Sequence, residues 1–157
     1  KSTKKYGGQV EATLSYTISP IHNEEYFVKL AKELEQMGAD TICIKDMANL
    51  LLPMDAYSLI KALKESVSVP IHLHTHNTTG TGDMTYLMAA CAGVDIVDCA
   101  TASLSSLTSQ PSLNAVVAAL EGQERDTGLD LREFDDAITF KVALMVKKDL
   151  ISRGIES

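Results

Sequence analysis

Short apolar runs alternate along this chain with longer stretches in which apolar residues return every three or four positions. Val10 to Thr17 alternates apolar and polar side chains, the period of a strand, and Asn23 to Met37 then carries Phe27, Leu30, Ala31 and Leu34 at helical spacing. Glu24 and Glu25 fall in the first turn of that helix, where negative charge meets the positive end of the dipole, and Gly38 supplies a left-handed stop. The pattern recurs. Thr41 to Lys45 is a β-rich run followed by a helix over Ala56 to Val67, with Leu59, Ile60 and Leu63 on its inner face. Pro70 to His76 starts a third unit, whose small-residue helix runs from Thr81 to Ala92 and stops at Gly93. Val94 to Thr101 starts a fourth, with Ser112 to Leu120 as its helix behind Pro111.

Strands alternating with helices predict an α/β fold in which a parallel sheet carries outer helices, either an open doubly wound sheet or part of a (βα)8 barrel. Element order does not separate the two. A complete barrel usually takes ~250 residues, or ~200 at the short end. The 157 residues and four βα units therefore look like half a barrel. From Asp130 onward a helical tail is expected, with Leu131, Phe134, Ile138, Val142, Leu144, Met145 and Leu150 offering apolar faces.

Composition narrows the partners. A hydrophobic content of 45% supports a sizeable core, and a net charge of −7 without a strong Lys/Arg block argues against nucleic acid or an anionic membrane as the main partner. No apolar run approaches the ~18 residues of a membrane span, so membrane insertion is not expected. Cys43, Cys91 and Cys99 lack a C-x-x-C spacing and sit in apolar runs, so reduced thiols and a cytoplasmic location are expected.

The chemistry concentrates in Pro70-Ile71-His72-Leu73-His74-Thr75-His76, which puts three of the chain's four histidines on alternate positions before the polar loop Asn77-Thr78-Thr79-Gly80. On a strand these imidazoles share one face, with neighbours roughly 6.6 Å apart at the backbone. Two adjacent imidazoles can converge on one ion at ~2.0–2.1 Å, whereas the outer pair, roughly 13 Å apart, cannot. In both candidate folds ligands gather at the carboxyl ends of the strands. That selects His74 and His76 as metal ligands and leaves His72 as a buried polar residue.

Lys45 is the next candidate, at the end of Ile42-Cys43-Ile44 and before Asp46-Met47-Ala48-Asn49. Burial disfavours an ammonium, and only a neutral amine reacts with carbon dioxide to form a carbamate, whose oxygen can bind a metal. The plainer alternative is a lysine extended to solvent or paired with Asp46. Three weaker signals have ordinary explanations. Gly80-Thr81-Gly82 lacks the spacing of a phosphate-binding loop and reads as a turn, and the hydroxyl-rich segment from Ser103 to Pro111 reads as capping for the following helix. Cys99 has no evident base and reads as a packed thiol; His22 reads as solvent-exposed.

Taken together, Val10-Glu11-Ala12-Thr13-Leu14-Ser15-Tyr16-Thr17, Ile44-Lys45-Asp46-Met47-Ala48, His72-Leu73-His74-Thr75-His76 and Leu107-Thr108-Ser109-Gln110-Pro111 resemble the carboxyltransferase domain of biotin-dependent enzymes. That family includes pyruvate carboxylase, the oxaloacetate decarboxylase α subunit and the transcarboxylase catalytic subunit. The resemblance runs from Gly8 to Phe140. It implies a (βα)8 TIM barrel in which a divalent metal, zinc, manganese or cobalt, assists carboxyl exchange between biotin and pyruvate or oxaloacetate. It also implies that His74 and His76 are metal ligands, that Lys45 is a carboxylated lysine ligand with a catalytic role, and that His72 lies outside the metal's immediate ligands.

Several family features have no counterpart here: the ligand aspartate of an Arg-Asp motif in the first strand, the pyruvate-binding residues of the first half, and the downstream proton-relay threonine. Asn77 stands where aspartate is common, and Asn49 where glycine is frequent. The chain thus reads as strands five to eight of a carboxyltransferase barrel over residues 1–140, followed by an unmatched helical tail over 141–157. Such a piece is expected to be inactive alone. Its expected partners are pyruvate or oxaloacetate, biotin as the carboxyl carrier on a separate domain or subunit, and either the missing barrel half or a second copy of itself. Two alternatives are a non-catalytic, self-associating half-barrel scaffold and a metal-dependent C–C lyase or synthase of the same barrel group. Ile44-Lys45-Asp46-Met47 weighs against the latter, which needs no lysine ligand.

Overall fold

The computed structural model describes residues 2–132, so the tail expected over 141–157, and all of the chain from residue 133, lies outside the described residues. A short helix α1 (Ser2–Lys5) precedes β1 (Glu11–Ser15), α2 (Glu24–Gln36), β2 (Thr41–Asp46), α3 (Pro53–Ser66), β3 (Ile71–Thr75), α4 (Gly82–Cys91), β4 (Ile96–Val97) and α5 (Leu113–Leu120). A single 3-10 turn (Ala102–Leu104) interrupts the last loop. Four strands pair in parallel in the order β1-β2-β3-β4, without a switch point.

The two faces of each strand differ. In β3, Ile71, Leu73 and Thr75 are buried against the helices, while His72 and His74 are half-buried on the other face. In β1 the same alternation leaves Glu11, Thr13 and Ser15 exposed and turns Ala12 and Leu14 toward the core. Consecutive helices pack on one another and on this single face of the sheet. A doubly wound sheet would carry helices on both faces. Sequential strands with one-sided helices are the geometry of a partial TIM barrel, with the polar face as its interior wall.

Local chemistry explains the element ends. Asn23 caps α2 by accepting from the Tyr26 N–H at 2.9 Å, and Gly38 follows that helix in the left-handed region at φ 92°. Helix α3 begins at Pro53, three residues before the position expected from periodicity, because proline at the first helical position costs no hydrogen bond. Strand β4 is shorter than the expected Val94 to Thr101. Beyond Val97 the chain leaves β3, and Ala100 bonds the segment before α5, donating to Pro111 O at 3.0 Å and accepting from Leu113 N at 2.7 Å.

The core is Phe27, Ile42, Ile44, Leu51, Ile60, Leu63, Ile71, Leu73 and Tyr86 with their neighbours, between the sheet and the helices. A carboxylate and a carboxamide organise its polar margin. Asp46, fully buried, accepts backbone N–H bonds from Ala48, Leu50 and Leu51 and the Thr75 hydroxyl, which folds the loop between β2 and α3. Asn77 accepts from Gly82 N–H and donates to Asp83, fastening the turn between β3 and α4. A Cβ on Gly82 would sit 2.9 Å from both Asn77 Oδ1 and Pro111 Cγ, so glycine is required there by close approach. The Gly80-Thr81-Gly82 segment is thus a built turn, as expected.

Candidate metal centre

Lys45 and His74 are direct partners in the register of β2 and β3, and Ser15 is the partner of Lys45 on β1. Neighbouring parallel strands lie about 4.8 Å apart, so these side chains leave the open face together near the carboxyl ends of the strands. His76 follows the last residue of β3, and its N–H donates to Asp46 O at 3.2 Å, which extends the ladder by one residue. Its ring lies 5.3 Å from that of His74, centroid to centroid, at 74°. The two adjacent histidines converge as their spacing requires.

The second nitrogen of each ring is occupied. His76 Nδ1 lies 2.6 Å from Thr108 O, and a carbonyl can only accept, so Nδ1 carries the proton. His74 Nδ1 lies 2.7 Å from Asp98 Oδ2, which makes the same demand. With the proton on Nδ1, each ring turns its other nitrogen, Nε2, to a position with no hydrogen-bond partner among the described residues. Metal-bound histidines are held in this manner, with a carboxylate or carbonyl fixing the tautomer from behind. The donor set therefore fits a divalent cation.

Lys45 is half-buried, and among the described residues its ammonium has no hydrogen bond or ion pair. The alternative of pairing with Asp46 fails because successive residues of a strand face opposite ways, and the Asp46 carboxylate is engaged on the helix side. An unpartnered lysine beside two oriented imidazoles suits a ligand role after carboxylation.

Three groups escape the sequence reading: Asp98, the Thr108 carbonyl and Glu11. In the sequence Asp98 stands out only as a neighbour of Cys99, yet its Oδ2 also lies 3.0 Å from His72 Nε2. That contact has ion-pair distance but not hydrogen-bond alignment, so His72 Nε2 remains a buried nitrogen without a hydrogen bond. His72 Nδ1 meets Glu11 Oε2 at 2.9 Å. Thr108 O is aimed at His76 by a turn in which Ser106 and Leu107 both adopt left-handed backbone, φ 74° and 53°. Ser109 O closes that turn onto the Asn77 N–H at 2.9 Å. The Ser103 to Pro111 loop, expected to cap the following helix, orients a histidine instead; the cap of α5 is Ser112, just beyond it.

Asn49, standing where the resembled family favours glycine, also has a positive φ of 53°, a conformation asparagine tolerates better than most residues. Its Oδ1 accepts from the Thr79 hydroxyl at 2.5 Å and from Thr81 at 3.3 Å. Cys99 is a packed thiol that burial, then Asp83 and Asp98, push up to about 12, too high for a nucleophile. Cys91 is exposed rather than in the core, because it ends α4 on the outer side. His22 is half-buried rather than solvent-exposed: its Nδ1 lies 2.7 Å from Ser19 Oγ and its ring packs edge-on against Tyr26. With Tyr16, Phe27, Asp55 and Leu59 it lines a small cavity beside β1, separate from the Lys45, His74 and His76 cluster.

Comparison with known proteins places the chain in a family and a fold. The HMGL-like family model matches residues 1–140. The pyruvate carboxylase of Staphylococcus aureus is 49% identical over 138 residues, covering 83% of this chain and 12% of that protein. The methylmalonyl-CoA carboxyltransferase 5S subunit of Propionibacterium freudenreichii is 40% identical over 162 residues, covering 98% of this chain and 32% of that protein. Among solved structures, the carboxyl transferase domain of Rhizobium etli pyruvate carboxylase superposes with a TM-score of 0.80 at 46% identity, over 82% of this chain and 23% of that one. The chain therefore spans at most about a third of the length of these proteins. It belongs to the HMGL-like family, and its four βα units form a partial TIM-barrel fold of the carboxyltransferase type.

Proposed function

We propose that this chain is the metal-holding part of a biotin-dependent carboxyltransferase that moves a carboxyl group between biotin and pyruvate or oxaloacetate. In this reading residues 1–140 belong to the carboxyltransferase portion, and 141–157 lie beyond the part that resembles it. The observation that carries this reading is the pair of imidazoles, His74 and His76, each tied through Nδ1, beside a Lys45 on the next strand that has no partner among the described residues. His74, His76 and a carboxylated Lys45 would hold a divalent metal of the zinc, manganese or cobalt class. Such an ion supplies Lewis-acid stabilisation of negative charge developing on a substrate keto oxygen. The relatives named pyruvate carboxylase, and the Rhizobium etli domain solved with pyruvate and biocytin, support this choice of substrate and carrier.

This chain's own residues orient the rings. Asp98 and Thr108 O hold the two imidazoles through Nδ1, which removes reorganisation when charge develops. Asp46 and Asn77 brace the loops on either side, so the histidines sit on rigid elements rather than mobile ones. The rest of the barrel, the biotin-bearing domain and a cytoplasmic setting belong to the same proposal.

Metal content and intact mass test it. The purified chain should bind one equivalent of zinc, manganese or cobalt, and native mass spectrometry should find Lys45 heavier by one carbon dioxide. Loss of the carbon dioxide adduct and of one metal equivalent in His74→Ala and His76→Ala is expected, and a chain that stays metal-free in excess of all three ions would sink the reading. Oxaloacetate decarboxylation with free biotin separates a working centre from a bound but silent one: measurable turnover lost in His74→Ala would show that this portion is active alone.

A further inference from the structure

We propose a second cation site one layer deeper on the same open face, formed by Glu11, Cys43 and His72, which takes a thiophilic divalent ion of the zinc class. Ligand atoms of these three residues lie within 4.8 Å of one another, and they come from β1, β2 and β3 respectively. Cys43 and His72 are register partners, two residues before Lys45 and His74. A thiolate, an imidazole and a carboxylate leave one position for water, the donor number of an open zinc site. The ion would join three successive strands on the side that no helix among the described residues covers.

The hydrogen bonding of His72 points the same way. With Nδ1–H donated to Glu11 at 2.9 Å, Nε2 is left buried with only its lone pair facing Asp98 Oδ2 at 3.0 Å, two acceptors in contact. A cation between Nδ1 and Glu11 displaces that proton and moves the tautomer to Nε2–H. The Nε2–H then faces the Asp98 carboxylate at 3.0 Å, an attraction where a lone pair had opposed it, as in the carboxylate–histidine–metal pattern common in zinc proteins. The Cys43 thiol also gives up its proton to solvent on binding the ion. Glu11 and Asp98 flank the His72 ring at 2.9 and 3.0 Å, and these two carboxylates form a negative field that draws a cation in.

Cobalt(II) titration of the full chain distinguishes this site from the Lys45, His74 and His76 centre, which holds no sulfur. A thiolate-to-cobalt charge-transfer band is expected in the near ultraviolet, saturating at one equivalent and displaced by zinc. The band should persist in His76→Ala and vanish in Cys43→Ser with the circular dichroism unchanged. Glu11→Gln, at a side chain 43% exposed and so safe for folding, should shift the titration midpoint by ~10-fold or more. Absence of the band in the wild-type chain, or its survival in Cys43→Ser, would overturn the proposal. If the first centre fails and this one stands, the band appears with Lys45 unmodified; if this one fails alone, cobalt binds without a sulfur signature.

Discussion

The two faces of the sheet are made from the same strands and obey different rules. Toward the helices, Ile42, Ile44, Ile71 and Leu73 are fully buried and touch other apolar side chains. On the other face, Glu11, Cys43, Lys45, His72 and His74 occupy the intervening positions, where a carboxylate, a thiol and imidazoles meet. The first face supplies folding free energy through area removed from water. The second consists of groups costly to bury unless paired, and it holds them where a ligand can complete the pairing. Even the carboxylates divide this way: Asp46 is fully enclosed by its own loop's N–H groups, whereas the Asp98 side chain is 44% exposed and binds imidazoles.

Adjacent residues give the sharpest test of that division. Leu73→Ala should lower unfolding free energy by about 2–5 kcal/mol in denaturant titration, since a fully buried leucine leaves a cavity. His74→Ala should change it by less than about 1 kcal/mol while abolishing metal binding at the first centre. Comparable destabilisation by both would break the comparison. The two aspartates come next. Asp46→Ala should destabilise by about 3 kcal/mol, because three backbone N–H groups lose their acceptor. Asp98→Asn should leave the fold intact and weaken metal affinity ~10–100-fold, as loss of a histidine-orienting carboxylate does. Isothermal titration with zinc on both variants separates the roles.

A third test concerns acid. Hydrogen bonds from the Ser68 hydroxyl and N–H hold Glu35 below its ordinary value of 4.5, far from the open face. For a carboxylate lowered in the folded state, the stabilisation is present above the unfolded value and is lost as pH falls through the folded one. Ser68→Ala should therefore flatten the fall in stability below about pH 4.5, with metal affinity at neutral pH untouched. The smallest effect is expected at Leu107, 75% exposed and left-handed. Leu107→Gly relieves ~1–2 kcal/mol of backbone strain and gives back ~0.4–1 kcal/mol in the unfolded chain, a net gain of roughly 0.5 kcal/mol. If the strained turn serves to aim Thr108 O at His76, the more stable variant should bind metal less tightly.

Much of the fold is legible in the sequence because its signals are local. Alternation in Val10 to Thr17 and helical spacing through Phe27, Ala31 and Leu34 require no knowledge of the rest of the chain, and Gly38 stops α2 as expected. Strand β4 is shorter than its sequence suggests, because the apolar run of Val94 to Thr101 does not reveal which neighbour it will pair with. The same limit applies to the site. His74 and His76 are separated by strand geometry alone, so their convergence can be anticipated. Asp98, Thr108 and Glu11 lie 24, 32 and 61 residues from the histidines they touch, and no periodicity spans such intervals.

By itself, the sequence determined the four βα units, the alternation of the first strand, and the histidine pair at the end of β3, since these follow from side-chain period and residue chemistry. Only the tertiary structure decided that the sheet carries its helices on one side, that Lys45 stands beside His74, and that Asp98 and a strained loop fix the tautomers. Those facts depend on strand order and register, which are set by packing across the whole core rather than by any segment alone.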